Sequence, residues 1–287
     1  MKTKHLFIHV ITLFTLCFGP AGFAIDEFPC GETITGKVSL TQNIECSGDP
    51  GVTVDGGILD LNGFVLSCTS DANDGVLLTG VGAMLYNGTI AAECDNGVKA
   101  VGKGRCQITN VLSTGHNDDG FDIEADGCKL TGNVALDNDD DGFIITGSRT
   151  MLTENLSRDN GYWGFSSAPQ TDKNKFQSNI AAGNSYDGFE IWGTRHRLLH
   201  NFSVENGGDG YIIYGNQHTL MQNRAFLNFW DGIHNLSTNS LFRKNVSSAN
   251  NTAAAGDTHD TYEFTPGCGS NRWINNAFGS SNDGCIQ

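Results

Sequence analysis

Apolar and polar residues alternate in short runs along the chain, and these runs return at a regular interval. In Phe189-Glu190-Ile191, for example, two apolar residues flank a charged one, and a glycine precedes the run. Alternation over so few residues predicts a short strand that buries one face and exposes the other. The glycines that precede such runs lie 22 to 24 residues apart, at Gly75, Gly97, Gly120, Gly142, Gly164, Gly188, Gly210 and Gly232.

Asparagines repeat with the same period in two further series. The first series is Asn133, Asn155, Asn179, Asn201, Asn223 and Asn245, and the second is Asn138, Asn160, Asn184, Asn206, Asn228 and Asn250. Three series with one period predict a solenoid whose coils, of about 22 residues each, hold three short strands and three bends. Glycine and asparagine are expected where a bend needs a positive φ angle. Leucine-rich repeats are excluded because their L-x-x-L-x-L core is absent, and ankyrin-type helices are excluded by the density of glycine and asparagine.

The repeat N-x-A-x-x-N-x-x-D-G-F-x-I-x-G, present from Asn133 to Gly147, resembles that of the right-handed parallel β-helix proteins of the pectate-lyase-like superfamily. The resemblance implies an all-β fold, a right-handed parallel β-helix solenoid of about ten coils. The segment from Cys30 to Phe64 is similar to the opening of secreted members, and it is expected to form the N-terminal cap and first coil. A shared β-helix does not by itself imply a shared activity.

The segments outside the repeat predict export. A basic start, an apolar run from Leu6 to Phe18 and the small residues Gly22 and Ala24 are typical of a secretory signal peptide. The protein is therefore expected to be secreted or to lie in a periplasmic or extracellular space. The sequence contains no second apolar stretch that approaches the length of a membrane span. The predicted segments are a signal peptide at 1–24, a cap at 25–50, coils at 51–250 and irregular C-terminal coils with a cap at 251–287.

Cysteines are expected to form disulfides at the ends of the solenoid. An even number remains after the signal peptide, and an even count in an exported chain favours disulfides. A zinc site is disfavoured because the chain has no CxxC pair. The spacing of Cys106 and Cys128 suits a bridge between neighbouring coils, which stack about 4.8 Å apart. The expected pairs are Cys30–Cys46, Cys68–Cys94, Cys106–Cys128 and Cys268–Cys285.

The net charge of −15 argues against a nucleic-acid partner. Eight basic residues nevertheless recur four to seven residues before a ladder asparagine, so that they are expected to stack into one stripe: Lys103, Arg105, Lys129, Arg149, Lys173, Lys175, Arg195 and Arg197. One interpretation is that the stripe neutralises the acidic bends. The other is that Lys129, Arg149 and Lys175 contact an acidic polysaccharide, whose anionic groups need Arg or Lys partners.

Aromatic residues replace polar ones in the coils between about residues 160 and 235. Trp192 and Tyr214 are predicted to point outward on neighbouring coils, beside Glu190, and so to form a flat platform for a sugar. The alternative is an exposed aromatic ladder that stabilises the sheet. Further aromatic residues stand at the bends before the glycines, and we predict them to bind substrate: Tyr162, Trp163, Tyr186 and Trp230.

The resemblance implies a lyase or C5-epimerase acting on uronic acids. In such reactions a cation neutralises the carboxylate, a base removes the C5 proton, and an acid protonates the leaving oxygen or the opposite face. Asp119 to Asp126 resembles the mannuronan C5-epimerase motif, but Ile123-Glu124 stands where that motif has Pro-His, so no roles are assigned there. The candidate catalytic residues are Arg195 and Arg197 as neutralising cations, His200, His218 and His234 as bases, and Tyr214 as the acid. The alternative is a non-catalytic extracellular β-helix that binds glycans, ions or a surface.

Clustered aspartates suggest a metal site. The stretch from Asp137 to Gly147 and the aspartates one coil earlier bring carboxylates together, and calcium prefers such hard oxygen ligands. The alternative is that these residues are bends of the repeat. The candidate calcium ligands are Asp118, Asp119, Asp137, Asp139 and Asp140, and no other cofactor is expected.

Overall fold

The structure, a computed structural model, describes residues 30–69, 74–250 and 259–286. The predicted signal peptide at residues 1–24 and the first residues of the predicted cap lie outside the described residues. Within the described ranges, regular structure consists of strands and one short 3-10 helix, Pro266–Cys268.

The strands are short, because each occupies only one side of a coil. In chain order they are β1 (Thr33–Ile34), β2 (Lys37–Ser39), β3 (Ile44–Cys46), β4 (Val52–Asp55), β5 (Ile58–Asp60), β6 (Val65–Cys68), β7 (Val76–Thr79), β8 (Met84–Ala91), β9 (Val98–Ala100), β10 (Gln107–Thr114), β11 (Phe121–Ile123), β12 (Lys129–Thr131), β13 (Val134–Leu136), β14 (Phe143–Ile145), β15 (Met151–Thr153), β16 (Leu156–Arg158), β17 (Phe165–Ser167), β18 (Lys175–Gln177), β19 (Ile180–Ala182), β20 (Phe189–Ile191), β21 (Arg197–Leu199), β22 (Phe202–Val204), β23 (Tyr211–Ile213), β24 (Thr219–Met221), β25 (Arg224–Phe226), β26 (Ile233–Asn235), β27 (Leu241–Arg243), β28 (Val246–Ser248), β29 (Thr261–Glu263), β30 (Arg272–Ile274) and β31 (Ala277–Phe278).

These strands stack in parallel into a solenoid of about ten coils, which confirms the predicted parallel β-helix. The first face is an 11-stranded sheet, β1-β4-β7-β9-β11-β14-β17-β20-β23-β26-β29. The other strands form a second and a third face, which are continuous with each other because β8 and β10 run through both. Each coil therefore contributes one strand to the first face, followed by a bend to the second face.

A column of aromatic rings fills the core behind the first face. Neighbouring ring centroids are 4.6 to 4.9 Å apart, and the ring planes are within 9° of each other. Stacked aromatic pairs of this kind add about 0.5–1.5 kcal/mol each to what burial alone contributes. The predicted inward direction of these residues is confirmed for Phe121, Phe143, Phe165, Phe189 and Tyr211.

The two asparagine series form buried ladders, as their common period predicts. Asn179 is representative: its Oδ1 accepts the backbone N–H of Asn155 at 2.9 Å, and its Nδ2 donates to the carbonyl of Leu152 at 3.1 Å. The same Nδ2 also donates to Oδ1 of Asn201 at 3.1 Å. Each ladder asparagine thus satisfies buried backbone groups at a bend, where no strand pairing is available.

The expectation that the repeat glycines have positive φ is wrong for those that open the strands of the first face. A Cβ on Gly142 would lie 2.8 Å from Nδ2 of Asn160 and 2.8 Å from the carbonyl oxygen of Gly164. Glycine is required there because the ladder asparagine and the next coil approach so closely. Positive φ occurs at other bends instead, at residues such as Arg149 (58°) and Asp159 (55°).

All four predicted disulfides are present: Cys30–Cys46, Cys68–Cys94, Cys106–Cys128 and Cys268–Cys285. Disulfides persist in oxidising compartments, so the chain is extracytoplasmic. Near the C-terminus, β29 pairs with β26 and continues the first face. In the described ranges, none of the helical structure has the length and apolarity of a membrane span.

Candidate functional site

The outward face of the 11-stranded sheet carries the candidate site. One central residue of each strand points outward and stacks on its counterpart in the next coil: Leu77, Lys99, Asp122, Ile144, Ser166, Glu190, Ile212, His234 and Tyr262. The predicted outward register is therefore confirmed. Aromatic residues flank the later part of this column, which we term the aromatic trough. Its floor is Ser166, Glu190, Ile212 and His234, its first wall is Tyr162, Trp163, Tyr186 and Trp230, and its second wall is Trp192 and Tyr214.

The second wall is a flat stack of two rings. Trp192 and Tyr214 directly follow β20 and β23, and their ring centroids lie 3.7 Å apart with planes 7° apart. The Trp192 side chain hydrogen-bonds to Glu190, so its indole N–H donates to the floor carboxylate. Burial raises the pKa of Tyr214, and the nearby negative charges of Glu190, Asp187 and Asp209 raise it further. The predicted outward aromatic platform therefore exists and adjoins a carboxylate.

The first wall is a cluster of aromatic rings at the bend before each strand. The ring of Tyr162 lies 4.4 Å from that of Trp163 and 4.3 Å from that of Tyr186. Trp163 stands where the neighbouring coils have aspartate, and its side chain hydrogen-bonds to Asp187. Trp230 is 50% exposed and Tyr186 is 48% exposed. All four predicted wall residues therefore border the same floor and offer accessible ring surface.

Aspartates at the start of the strands form a polar ladder along the floor. Oδ1 of Asp141 accepts the backbone N–H of Trp163 at 2.9 Å, and Oδ1 of Asp209 accepts that of Asp231 at 2.7 Å. The second oxygen of the carboxylate then faces the floor, where Ser166 donates its hydroxyl to Oδ2 of Asp141 at 2.7 Å. Each of these aspartates thus accepts a backbone N–H with one carboxylate oxygen and presents the other oxygen to the floor.

Burial changes the acidity of the floor. It raises the pKa of Asp141 to about 7, although hydrogen bonds from Ser166 and Trp163 act in the opposite direction. Burial and the charge of Asp209 raise the pKa of Asp187 to about 7. Burial also raises the pKa of Glu190. Groups that titrate near neutral pH can accept or donate a proton, which is what acid–base catalysis requires.

His218 lies inside the coils, so the prediction that it acts as a base on substrate is wrong. It is buried together with His196, and the two imidazole centroids are 5.2 Å apart. Nδ1 of each ring accepts a backbone N–H from the coil below, so the proton is on Nε2. The Nε2–H groups donate to the carbonyls of Trp192 and Tyr214, both at 2.7 Å. The two histidines therefore hold the backbone of the second wall from within.

Burial lowers the pKa of both histidines to about 4. At neutral pH they are consequently uncharged acceptors in a ladder that also contains Asn174 and Ser240. A positive charge on either ring would remove the Nδ1 lone pair and disrupt the ladder.

Three further predicted catalytic residues lie around the bend from the trough, and the prediction that they share a constellation with Tyr214 and His234 is wrong. Arg195 is at the bend between the first and second faces, where Nε pairs with Oδ1 of Asp172 at 2.6 Å. Arg197 begins β21 on the second face, and His200 follows that strand at a left-handed bend. These residues follow the floor residues closely in sequence, but the chain bends between them and places them at the bend or on the second face. This separates them from the floor.

The predicted basic stripe exists, on the second face. Lys129 and Lys175 flank Met151 in register, and Arg197 follows Lys175. Arg149 lies at the bend and pairs with Asp126, in agreement with the interpretation that the stripe neutralises acidic bends. The residues predicted to contact substrate at 129, 149 and 175 therefore belong to a surface separate from the aromatic trough.

Three of the five predicted calcium ligands come together. Carboxylate oxygens of Asp118, Asp119 and Asp140 lie within 4.8 Å of one another. Burial raises the pKa of Asp119 to about 9 and that of Asp118 to about 6, and neighbouring carboxylates raise both further. Asp137 lies at an exposed left-handed bend, and Asp139 is also exposed outside this group. A calcium ion at the first three residues stays a prediction.

Two clusters that include residues of the outward column were not predicted from the sequence. Nζ of Lys99 lies 2.7 Å from Oδ2 of Asp122 and 3.2 Å from Oε1 of Glu124. Burial acts to lower the pKa of Lys99, but its bonds with the two acids outweigh this and raise it. The signal was available, because Lys99 is the single lysine or arginine in the outward column defined above.

The second missed cluster is formed by Asp209, Asp231 and His234, whose potential metal-ligating atoms lie within 4.8 Å of one another. Nδ1 of His234 lies 3.1 Å from Oδ2 of Asp209 and 3.7 Å from Oδ2 of Asp231. An aspartate of the ladder meets the outward residue 25 positions later, on the next coil. The same spacing joins Asp141 to Ser166.

A protein-family model described as "Periplasmic copper-binding protein (NosD)" matches residues 74–284. No curated protein matches the chain in sequence.

The fold is similar to that of several solved structures. The A-module of the Azotobacter vinelandii mannuronan C-5 epimerase AlgE4 is 17% identical, with a TM-score of 0.67 over 89% of this chain and 84% of that one. The periplasmic alginate epimerase AlgG is 14% identical, with a TM-score of 0.51 over 85% and 74% of the two chains. The Dettilon tailspike protein is 15% identical, with a TM-score of 0.55 over 77% and 47%. At identities this low, the likeness shows the fold and does not show the activity.

Proposed function

The chain belongs to the NosD family, and we propose that it is a carbohydrate-active protein that binds a linear, uronate-containing polysaccharide along the outward face of the 11-stranded sheet. The observation that carries the proposal is the coplanar stack of Trp192 and Tyr214 beside Glu190. Apolar ring faces with a few placed polar groups are typical of ligand sites. The flat stack suits the C–H face of a sugar, and Glu190 suits its hydroxyl groups.

Binding is tested with the mature chain on a panel of alginate, pectate and glycosaminoglycan oligosaccharides. Trp192→Ala combined with Tyr214→Ala is expected to weaken binding at least tenfold, because the platform is lost. Phe226→Ala is the matched control, since Phe226 is a half-buried aromatic residue at the end of β25, away from the first face. Equal loss in the control, or no loss in the double variant, would contradict the proposal.

For the reaction, we propose C5 proton transfer at Lys99, Asp122 and Glu124. Lys99 supplies the cation that neutralises the uronate carboxylate, and half-exposed Glu124 supplies a base. Asp122, whose pKa burial raises, supplies an acid. The neighbouring structures named mannuronan and alginate epimerases support this reaction class. Glu124 lies about 14 Å, or three coils, from Trp192, and Lys99 lies one coil further, so that one polymer along the axis contacts both the cluster and the aromatic stack.

The reaction is tested by incubating the same oligosaccharides with the chain in deuterated water. Exchange at C5 seen by NMR indicates epimerisation. Absorbance of an unsaturated uronate indicates cleavage of the chain by β-elimination. Lys99→Met is expected to abolish either signal while leaving retention on the panel intact. Retention without either signal in the unaltered chain would instead favour the alternative function, a non-catalytic glycan-binding β-helix.

A second candidate function is copper binding. The family description names it, and Asp209, Asp231 and His234 combine two carboxylates with an imidazole. Imidazole suits copper, and copper(II) is bound more tightly than the other divalent metals of its row. Titration of copper(II) into the metal-free chain tests this function independently of any glycan.

A further inference from the structure

The acidic side chains of the aromatic trough would repel a uronate ligand, which is also negatively charged. The floor and edge of the trough carry Glu190, Asp187 and Asp209. Lys99, the basic group of the outward column, is four coils from Glu190 and already paired with two acids. The arginines and lysines of the basic stripe lie on the second face. A carboxylate sugar over Trp192 and Tyr214 therefore meets acids of the same sign unless a cation lies between them.

The cluster at the far end of the trough has the groups that hold such a cation. Asp209 is 2% exposed and Asp231 5%, whereas the side chain of His234 is 26% exposed. Backbone N–H groups of Asp231 and His259 bind one carboxylate oxygen each of Asp209 and Asp231. The two Oδ2 atoms and Nδ1 of His234 are thus held together, with His234 on the open side.

An additional nitrogen lies beside this group. Nδ1 of His259 is buried, and among the described residues it has no hydrogen-bond partner. His259 is close enough to Asp231 for a direct electrostatic interaction, and its ring lies 6.2 Å from Tyr262, which in turn touches His234. This nitrogen is not among the ligating atoms that lie within 4.8 Å of one another, so the proposed site consists of Asp209, Asp231 and His234, with buried polar surface beside it.

The chemistry of the ligands selects the ion. Imidazole nitrogen with two carboxylates suits zinc or copper(II), whereas calcium prefers six to eight oxygens. Three protein ligands leave at least one coordination position free, and the exposed side of His234 directs that position toward the trough.

We infer that Asp209, Asp231 and His234 bind a divalent transition-metal ion whose open position holds the carboxylate of an acidic sugar lying on the trough. This inference rests on the proposed glycan binding and adds its ion dependence. The ion supplies the positive charge that the trough lacks. The aromatic stack one to two coils away then holds the neighbouring sugar by its apolar face.

The first experiment measures metal binding by calorimetry on the full mature chain after dialysis against a chelator. Zinc and copper(II) are titrated separately, with calcium as the hard-cation comparison. We expect one site for each transition metal, weakened at least tenfold in Asp209→Asn and in His234→Gln. Asp209→Asn keeps an oxygen for the N–H of Asp231, and half-exposed His234 offers a second variant if the first does not fold. Asp159→Asn, at an exposed bend outside both acidic groups, is the control and leaves binding unchanged.

The second experiment measures affinity for alginate oligosaccharides with the metal bound and with chelator present. Metal is expected to tighten binding at least tenfold in the unaltered chain and to have no effect in His234→Gln. Oligosaccharides whose carboxyl groups are reduced to alcohols should not respond to metal.

Three results overturn the inference, and they are distinguishable. Metal binding that survives both variants means that the ion lies elsewhere. Metal binding at this site with the same alginate affinity in chelator removes the anchor role and leaves the proposed glycan binding intact. Metal binding without retention of any glycan overturns the anchor role and the proposed function together.

Discussion

The two halves of the 11-stranded sheet share one backbone and differ in the side chains that they point outward. Both halves have the same strand register and the same inner asparagine ladders. In the first half the outward positions are charged, at Lys99, Asp122 and Glu124. In the second half they are bordered by the rings of the aromatic trough. The comparison shows that the repeat builds the scaffold, whereas the departures from it carry the chemistry.

The largest expected effect tests whether the scaffold is the same in both halves. Asn133→Ala and Asn201→Ala each remove one ladder residue, and each leaves a buried backbone N–H and a buried carbonyl without their partners. Because each unsatisfied group costs about 1–3 kcal/mol, we expect losses of about 2–6 kcal/mol in the free energy of unfolding, similar at the two sites. Urea denaturation measures them, with exposed Gln217→Ala as the control. A loss of stability confined to one half would contradict the claim that both halves share one scaffold.

The next effect concerns pH and the two buried histidines of the second half. In the first half, burial also lowers the pKa of His116 to about 4, and this residue is left unaltered. His196 and His218 have a pKa of about 4 in the fold because they are buried, against about 6.5 in an unfolded chain. As pH falls below 6.5, the unfolded state takes up protons first, so the histidines make stability fall down to about pH 4. The effect is about 3 kcal/mol for each histidine at most.

Asp141 and Asp187 act in the opposite direction, because a raised pKa makes the folded state bind protons first. Their contribution to stability rises as pH falls from about 7 toward 4. Replacing both histidines with asparagine, the residue that Asn174 already provides in this ladder, is therefore expected to remove their share of the acid-induced loss and leave the gain. Thermal unfolding between pH 7 and 4.5 measures this. A double variant with the original pH profile would show that the histidines do not set it.

The smallest expected effect comes from a substitution that adds one aromatic ring to the second wall. Ala168 is the residue that follows β17, in the column of Trp192 and Tyr214, so Ala168→Trp is expected to lengthen the stack. One further aromatic contact is worth about 0.5–1.5 kcal/mol, which is a severalfold gain in glycan affinity. Thr146→Trp, one coil further away, is the control and should give less. Equal gains from both would show that any outward ring suffices.

The fold could be predicted almost completely from the sequence, because the period fixes the coils, and stacking at one period fixes which residues are neighbours. The Cys106–Cys128 disulfide and the outward column followed from the same spacing. The site followed only in part. Trp192 and Tyr214 were found because they break the pattern next to a strand whose direction was known.

The wrong predictions of site residues concern positions at or after the bend between the first and second faces. Period alone places Arg195, Arg197 and His200 in columns, but it does not say toward which face a bend directs them. His218 could have been recognised as an inner residue, because it occupies the ladder position of Asn174 two coils later. The cluster of Asp209, Asp231 and His234 joins residues of two columns across neighbouring coils, and a search for motifs along the sequence does not detect such a contact.

A crystal structure of the chain with a bound uronate oligosaccharide tests most directly whether the aromatic trough is where the glycan lies. We predict sugar rings over Trp192 and Tyr214, with the polymer running along the solenoid axis toward Lys99. An oligosaccharide bound instead to Lys129, Lys175 and Arg197 on the second face, with the trough free, would contradict this assignment.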